Sequence, residues 1–119
     1  MKLPGPDHPI TIMPTKGRVV VKFGGQAIAD TMRAMTLKEA GYPGVQYIPR
    51  ADTKMELLEP TAHKTNCPYK GEASYFTVKA GGRVAENAVW SYETPYPAVA
   101  EIEGRVAFYP DRVDGIEVG

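Results

Sequence analysis

Gly71-Glu72-Ala73-Ser74-Tyr75-Phe76-Thr77-Val78-Lys79-Ala80-Gly81-Gly82-Arg83-Val84-Ala85-Glu86-Asn87-Ala88-Val89-Trp90-Ser91-Tyr92 is the stretch that decides how this chain folds. β-Branched and aromatic residues recur on both sides of a Gly-Gly pair, with a period of two along each arm. A Gly-Gly link supplies the positive φ that tight hairpin turns need, so the stretch reads as a long β-hairpin turning at Gly81-Gly82. That turn sets an expected register, with Ala73 opposite Trp90, Gly71 opposite Tyr92 and Tyr75 opposite Ala88. One face then places tiny residues against three aromatic rings, which leaves a groove between walls. The other face, with Phe76, Val78, Ala85 and Val89, reads as core.

The same reasoning applies upstream. Arg18 to Phe23, Gly24-Gly25 and Gln26 to Asp30 form a second hairpin signal, with Val21 expected opposite Ile28 and Val19 opposite Asp30. Asp30 would then end an apolar face, where a carboxylate needs a partner. Thr31 to Ala40 fits a helix through Met32, Met35 and Ala40, but the alternation of Arg33, Met35 and Leu37 with Ala34, Thr36 and Lys38 favours a strand. Val45 to Ile48 is a short strand ended by Pro49. Thr53 and Glu56 make a capping-box pattern, which predicts one short helix starting near Asp52 and stopped by Pro60. Pro97 to Ile102 predicts one more helical turn, and Arg105 to Tyr109 and Val113 to Val118 predict strands around Pro110-Asp111. Pro4, Pro6 and Pro9 make residues 1–9 an extended N-terminal tail, flexible by default, with His8 able to fold back over the sheet. The fold class is therefore mostly β, with one or two short helices.

Length and composition narrow the function. At 119 residues the chain is one domain, residues 1–119, large enough for a modest core. Eleven prolines and twelve glycines suit a turn-rich β fold. Fourteen basic and fourteen acidic residues cancel, so no global field draws the chain to nucleic acid or to a membrane surface. One cysteine excludes an intramolecular disulfide and fits a reducing cytoplasm. No secretory leader pattern opens the sequence, and no window approaches the roughly 20 apolar residues that span a bilayer. The expectation is a cytoplasmic protein of bacterial type that binds neither nucleic acid nor membrane. A small molecule and a second copy of the chain are the candidate partners.

The residues with chemistry to offer cluster in His63-Lys64-Thr65-Asn66-Cys67-Pro68-Tyr69-Lys70-Gly71, placed in the loop leading into the long hairpin. Cys67 is the candidate catalytic residue: His63, Lys64 and Lys70 would favour its thiolate, the reactive form. Against this, a free cysteine is among the most buried of residues, and packing is the stronger reading. Arg50 and Asp52, at a strand end, can join Lys70 in clamping an anion such as phosphate or carboxylate, with Arg50 giving a bidentate fork. The plainer alternative caps a helix with Asp52 and pairs Arg50 with Asp52 or Glu39. Tyr75, Trp90 and Tyr92 can line a ligand cage by stacking or cation–π contact, or can be core. A single cysteine offers no four-ligand set for zinc, and no phosphate loop or dinucleotide fingerprint occurs, so neither metal nor cofactor is expected.

Taken in order, Gly24-Gly25 with Ile28-Ala29-Asp30, Tyr47-Ile48-Pro49-Arg50, Cys67-Pro68-Tyr69-Lys70-Gly71 with Ala73 and Tyr75, Trp90-Ser91-Tyr92, and Val106-Ala107-Phe108-Tyr109 resemble the domain-of-unknown-function family 427. The resemblance covers almost the whole chain, and Cys-Pro-Tyr-Lys-Gly is its most specific part. It implies a single β-tent (Mss4-like) domain in a small bacterial protein and no established activity. A nucleotidyltransferase-like label also attached to the family finds no support in the residues. No D-x-D pair for Mg²⁺ and no Gly-Ser loop for a triphosphate occurs. The relatives of this fold that carry zinc on four cysteines differ from a chain with one. The leading expectation is a module that binds a small anionic or aromatic molecule through Arg50, Asp52, Lys70, Tyr75 and Trp90. An enzyme of unknown class, using Cys67 or the Asp52 and Lys70 pair in the same pocket, is the alternative, and a partner-binding role through exposed β edges is the third.

Overall fold

In the computed structural model, which describes residues 1–119, the chain forms ten strands: β1 (Ile10–Pro14), β2 (Val19–Phe23), β3 (Gln26–Thr31), β4 (Met35–Glu39), β5 (Val45–Tyr47), β6 (Leu58–Cys67), β7 (Gly71–Ala80), β8 (Arg83–Ser91), β9 (Val106–Phe108) and β10 (Gly115–Val118). They make three antiparallel sheets, ordered β1-β4-β5, β10-β2-β3 and β6-β7-β8-β9. Paired backbone bonds between Ile48 and Val106, at 2.8 and 2.9 Å, tie the first sheet to the last. The fold is mostly β, as the hairpin patterns predict, and its helical content is confined to short 3₁₀ segments.

Both Gly-Gly pairs turn hairpins, and the two turns lie against each other. A Cβ placed on Gly24 would stand 2.3 Å from the Ala80 carbonyl oxygen, and one on Gly81 would stand 2.3 Å from the Gly24 carbonyl oxygen. Only glycine fits this approach, and both positions have φ near +60°.

The registers differ from those read off the turns. In the long hairpin the expected pairing runs from Ala80↔Arg83 to Val78↔Ala85, then slips so that Phe76 faces Val89 and Tyr75 faces Trp90, not Ala88. Asn87 takes the left-handed conformation (φ 49°), and its N–H donates to Thr77 Oγ1 at 3.2 Å, so three residues of β8 stand against one of β7. A slip of two keeps every side chain on its face, so the two-face reading survives the error in register. In the first hairpin a one-residue bulge at Ile28 pairs Val21 with Ala29 and Val19 with Thr31. Asp30 therefore points to solvent and binds Arg18 at 2.7 and 2.5 Å rather than closing an apolar face.

Three further expectations are corrected. Cys67 does not lie in a loop: it ends β6, a ten-residue strand that pairs with β7 around Pro68-Tyr69-Lys70. Strand β6 lies at the sheet edge, so it carries polar residues on both faces and accommodates Pro60, which loses no needed hydrogen bond there. The helix expected after Asp52 is instead two 3₁₀ segments, Arg50–Asp52 and Met55–Leu57. Thr53 donates its hydroxyl to the Pro49 carbonyl instead of capping, and the Lys54 N–H bonds to the Ile28 carbonyl, which draws the segment onto β3. The N-terminal tail is anchored: Gly5 and His8 bridge to each other, and the Lys2 N–H reaches the Pro68 carbonyl at 2.7 Å.

The β6–β9 sheet separates two cores. One face presents Phe76, Val78, Val89 and Phe108 to Val19, Val21, Phe23 and Ile28, a cluster of large side chains closed to solvent. The opposite face presents Ala73, Tyr75, Tyr92 and Ala107 to Leu37 and Tyr47, with Val99 and Ile102 of the 3₁₀ segment Pro97–Ile102 covering one end. Burial of these apolar side chains stabilises the fold by roughly 25 cal/mol for each Å² removed from water.

Candidate functional site

The second core does not close completely. Period-two alternation sends Ala73 and Tyr75 of β7, Trp90 of β8 and Ala107 of β9 to one face, and Tyr92 and Tyr109 continue it beyond the strands. A cleft of about 170 Å³ opens at its edge, bounded by Leu37, Glu39, Val45, Tyr47, Lys70, Trp90, Tyr92 and Tyr109. Tyr42 and Pro43, from the turn between β4 and β5, reach its rim.

Its walls are a run of rings. Tyr92 lies 6.5 Å from Tyr47, which meets Trp90 edge-on at 6.4 Å and 89°, and Trp90 lies 4.5 Å from Tyr109. The Trp90 Nε1–H donates to the Tyr47 hydroxyl at 3.2 Å, and the Tyr75 and Tyr109 hydroxyls stand 3.3 Å apart. Burial, the largest influence, pushes the Tyr47 and Tyr92 phenols far above the usual tyrosine value and Tyr109 up to about 12. These phenols are uncharged at neutral pH. Every buried side-chain nitrogen and oxygen has a hydrogen-bond partner, so the polar groups left free on the cleft wall are those that solvent reaches.

One ion pair lies beside the rings. Lys70, with 11% of its side chain exposed, binds Glu39, with 16% exposed, and its Nζ stands 5.9 Å over the Tyr92 ring. Glu39 also bonds His8 Nε2 at 2.7 Å, and the His8 ring stacks on Tyr69 at 3.9 Å. Burial alone would raise the Glu39 carboxyl, but the hydrogen bonds from Lys70 and His8 outweigh it and hold the group below its usual range. The lysine charge is thus answered from within the protein.

The structure brings Lys70 and Trp90 to one cleft and Tyr75 to the same face, bonded to Thr65 at 2.9 Å and to Tyr109. The expected convergence of three charges does not occur. Arg50 lies on the opposite face, over the Phe76 ring at 5.5 Å, and binds the Gly104 carbonyl, Ser91 and Glu93 at 2.6, 3.1 and 3.1 Å. Asp52 sits at the β3 edge, where it accepts from Thr31 at 2.7 Å and Arg33 at 3.1 Å. The separation follows from the sheet: Ser91 and Phe76 belong to one pleat, Tyr92 and Tyr75 to the other. Cys67 is half-buried against the second core. No group of three or more His, Cys, Asp or Glu side chains is arranged to hold a metal ion.

Sequence reasoning missed Glu39, Tyr47 and Tyr109 as site residues. Tyr109 carried a signal, since the alternation Ala107, Tyr109 places it beside Trp90. Tyr47 and Glu39 carried none, because only the β1-β4-β5 sheet folding over β7 and β8 brings them in.

The fold and cleft define a small antiparallel β protein with a core on each face of its central sheet and an aromatic cleft at the edge of one. The chain matches the model described as Domain of unknown function (DUF427) over residues 11–119, and it belongs to that family. No curated protein matches it.

Proposed function

We propose that the domain binds a small aromatic molecule bearing a hydroxyl or carbonyl oxygen in the cleft of Tyr47, Lys70, Trp90, Tyr92 and Tyr109. The observation that carries this reading is the chain of rings from Tyr92 to Tyr109 around an open cleft, beside a lysine already paired with Glu39. Aromatic rings offer faces and edges for stacking, and neutral phenols supply hydrogen bonds without a net charge. Lys70 retains donors beyond the one given to Glu39 and can meet an oxygen of the ligand. The Glu39 carboxylate offsets the attraction that Lys70 alone would hold for an anion, which favours neutral aromatics over phosphate or citrate.

A thermal-shift comparison tests it, because a ligand that binds only the folded state stabilises it by RT ln(1 + [L]/Kd). Phenol, catechol and indole are expected to raise the melting temperature with concentration, phosphate and citrate to leave it unchanged, and Trp90→Leu to abolish the response. A response to the anions alone would overturn the aromatic reading, as would an aromatic response that survives Trp90→Leu.

A further inference from the structure

A second cleft, of about 260 Å³, shares Trp90 and Val45 with the first. Its lining is mainly apolar: Val21, Ile48, Phe108, Pro110, Ile116 and Val118 stand beside the two shared residues, with Gln46 as the one polar side chain. It lies where the β10-β2-β3 sheet approaches β5 and β9, and none of its walls bears a charged side chain. We infer that the ligand is amphipathic, with an aromatic, oxygen-bearing head among the tyrosines and an apolar substituent running past Trp90 into this second cleft. The inference rests on the aromatic site proposed above and names the ligand class that the site takes.

Three observations support this choice of occupant. The Trp90 indole and Val45 form a wall common to both clefts, so a molecule stacked on Trp90 has each cleft within reach. Each cleft alone falls below the ~300 Å³ at which ligand pockets begin, whereas together they exceed it. Their chemistry also differs in the sense an amphipathic molecule requires. One offers phenols, Lys70 and Glu39, and the other offers Val, Ile, Phe and Pro side chains with Gln46 and no charged group. An apolar chain there removes hydrocarbon surface from water on both sides, while a polar group would lose most of its hydration with only Gln46 to replace it.

Isothermal titration calorimetry with phenol, 4-ethylphenol, 4-butylphenol, 4-hexylphenol and 1-hexanol tests the inference. Affinity should rise about fourfold for each methylene added to the ring substituent until the second cleft is full, then level off. Ile116→Phe fills that cleft, so it should flatten the series and leave phenol itself unaffected. Val118→Gln, at a position 54% exposed and therefore tolerant, should weaken the series in the same direction if Ile116→Phe disturbs folding. Phenol binding with no gain from longer substituents overturns the inference and leaves the aromatic site standing, as does a gain indifferent to both substitutions. Hexanol binding as tightly as 4-hexylphenol, and sensitive to Ile116→Phe, refutes the joined site and the aromatic head. No binding by any of the phenols removes both readings.

Discussion

Replacing Lys70 with methionine keeps most of the unbranched side chain and removes its charge, leaving the Glu39 carboxylate in a site only 16% exposed with His8 as its remaining partner. Breaking one side of a fully buried ion pair costs about 3–5 kcal/mol, because the surviving charge stays desolvated. The residual exposure of both groups and the His8 bond reduce this, so Lys70→Met should destabilise the protein by about 2–3 kcal/mol. For a chain of this size that is a fall of roughly 8–12 °C in melting temperature. The double variant Glu39→Gln/Lys70→Met removes both charges and should recover most of the loss, giving a coupling energy of about 2 kcal/mol in a double-mutant cycle. Urea denaturation followed by circular dichroism measures each corner of the cycle. A loss under about 1 kcal/mol for Lys70→Met, or a coupling under about 0.5 kcal/mol, would show that the pair is solvated and does not organise the cleft. The same reasoning makes Lys70 a poor probe of binding, since its removal alters the fold.

The two turns give a paired test. Gly81→Ala meets the Gly24 carbonyl at 2.3 Å and should cost well over 2 kcal/mol, while Gly82→Ala, with nothing within 4 Å, should cost only about 1 kcal/mol of left-handed strain; equal losses in urea denaturation would deny that the turns touch. Asn87→Gly and Asn87→Val both lose the bond from Thr61, but glycine relieves the left-handed strain at φ 49° while valine adds to it, so glycine should be tolerated within about 0.5 kcal/mol and valine should lose about 2 kcal/mol; a tolerated valine would refute the bulge. Because the Glu39 pKa is lowered in the folded state, its contribution is complete above the unfolded value of ~4.3 and disappears as pH falls through the folded one. Urea midpoints measured from pH 7 to pH 3 should therefore fall at the acid end, less steeply in Glu39→Gln, and identical acid limbs would contradict the assignment.

The long hairpin was legible because a Gly-Gly turn and alternation act over a few residues, and both operate as read. Its register was not, since the slip depends on Asn87 adopting a left-handed conformation and on Thr77 accepting its N–H, neither of which alternation reveals. Strand β6 escaped notice for a related reason: an edge strand with both faces wet has no hydrophobic period, and Pro60 reads as a terminator where the edge in fact tolerates it. The candidate site was half legible. Lys70, Tyr75 and Trp90 sit on the face that the alternation assigns to the rings. Arg50 and Asp52 were grouped with them by closeness in sequence to strand ends, and a pleated sheet sends such neighbours to opposite sides. Glu39 and Tyr47 entered through contact between sheets, which a pattern local in sequence does not contain.

Trp90 is the only tryptophan, so its indole gives a single resolved N–H signal at the wall shared by both clefts. Titrating phenol into isotopically labelled protein and following amide and indole resonances is the most direct measurement of the central claim. The account predicts that the Trp90 indole signal shifts with saturation, as its bond to Tyr47 is perturbed, together with Leu37, Glu39, Lys70 and Tyr92. An indole signal that stays fixed while shifts gather around Arg50, Ser91 and Glu93 on the opposite face would contradict it.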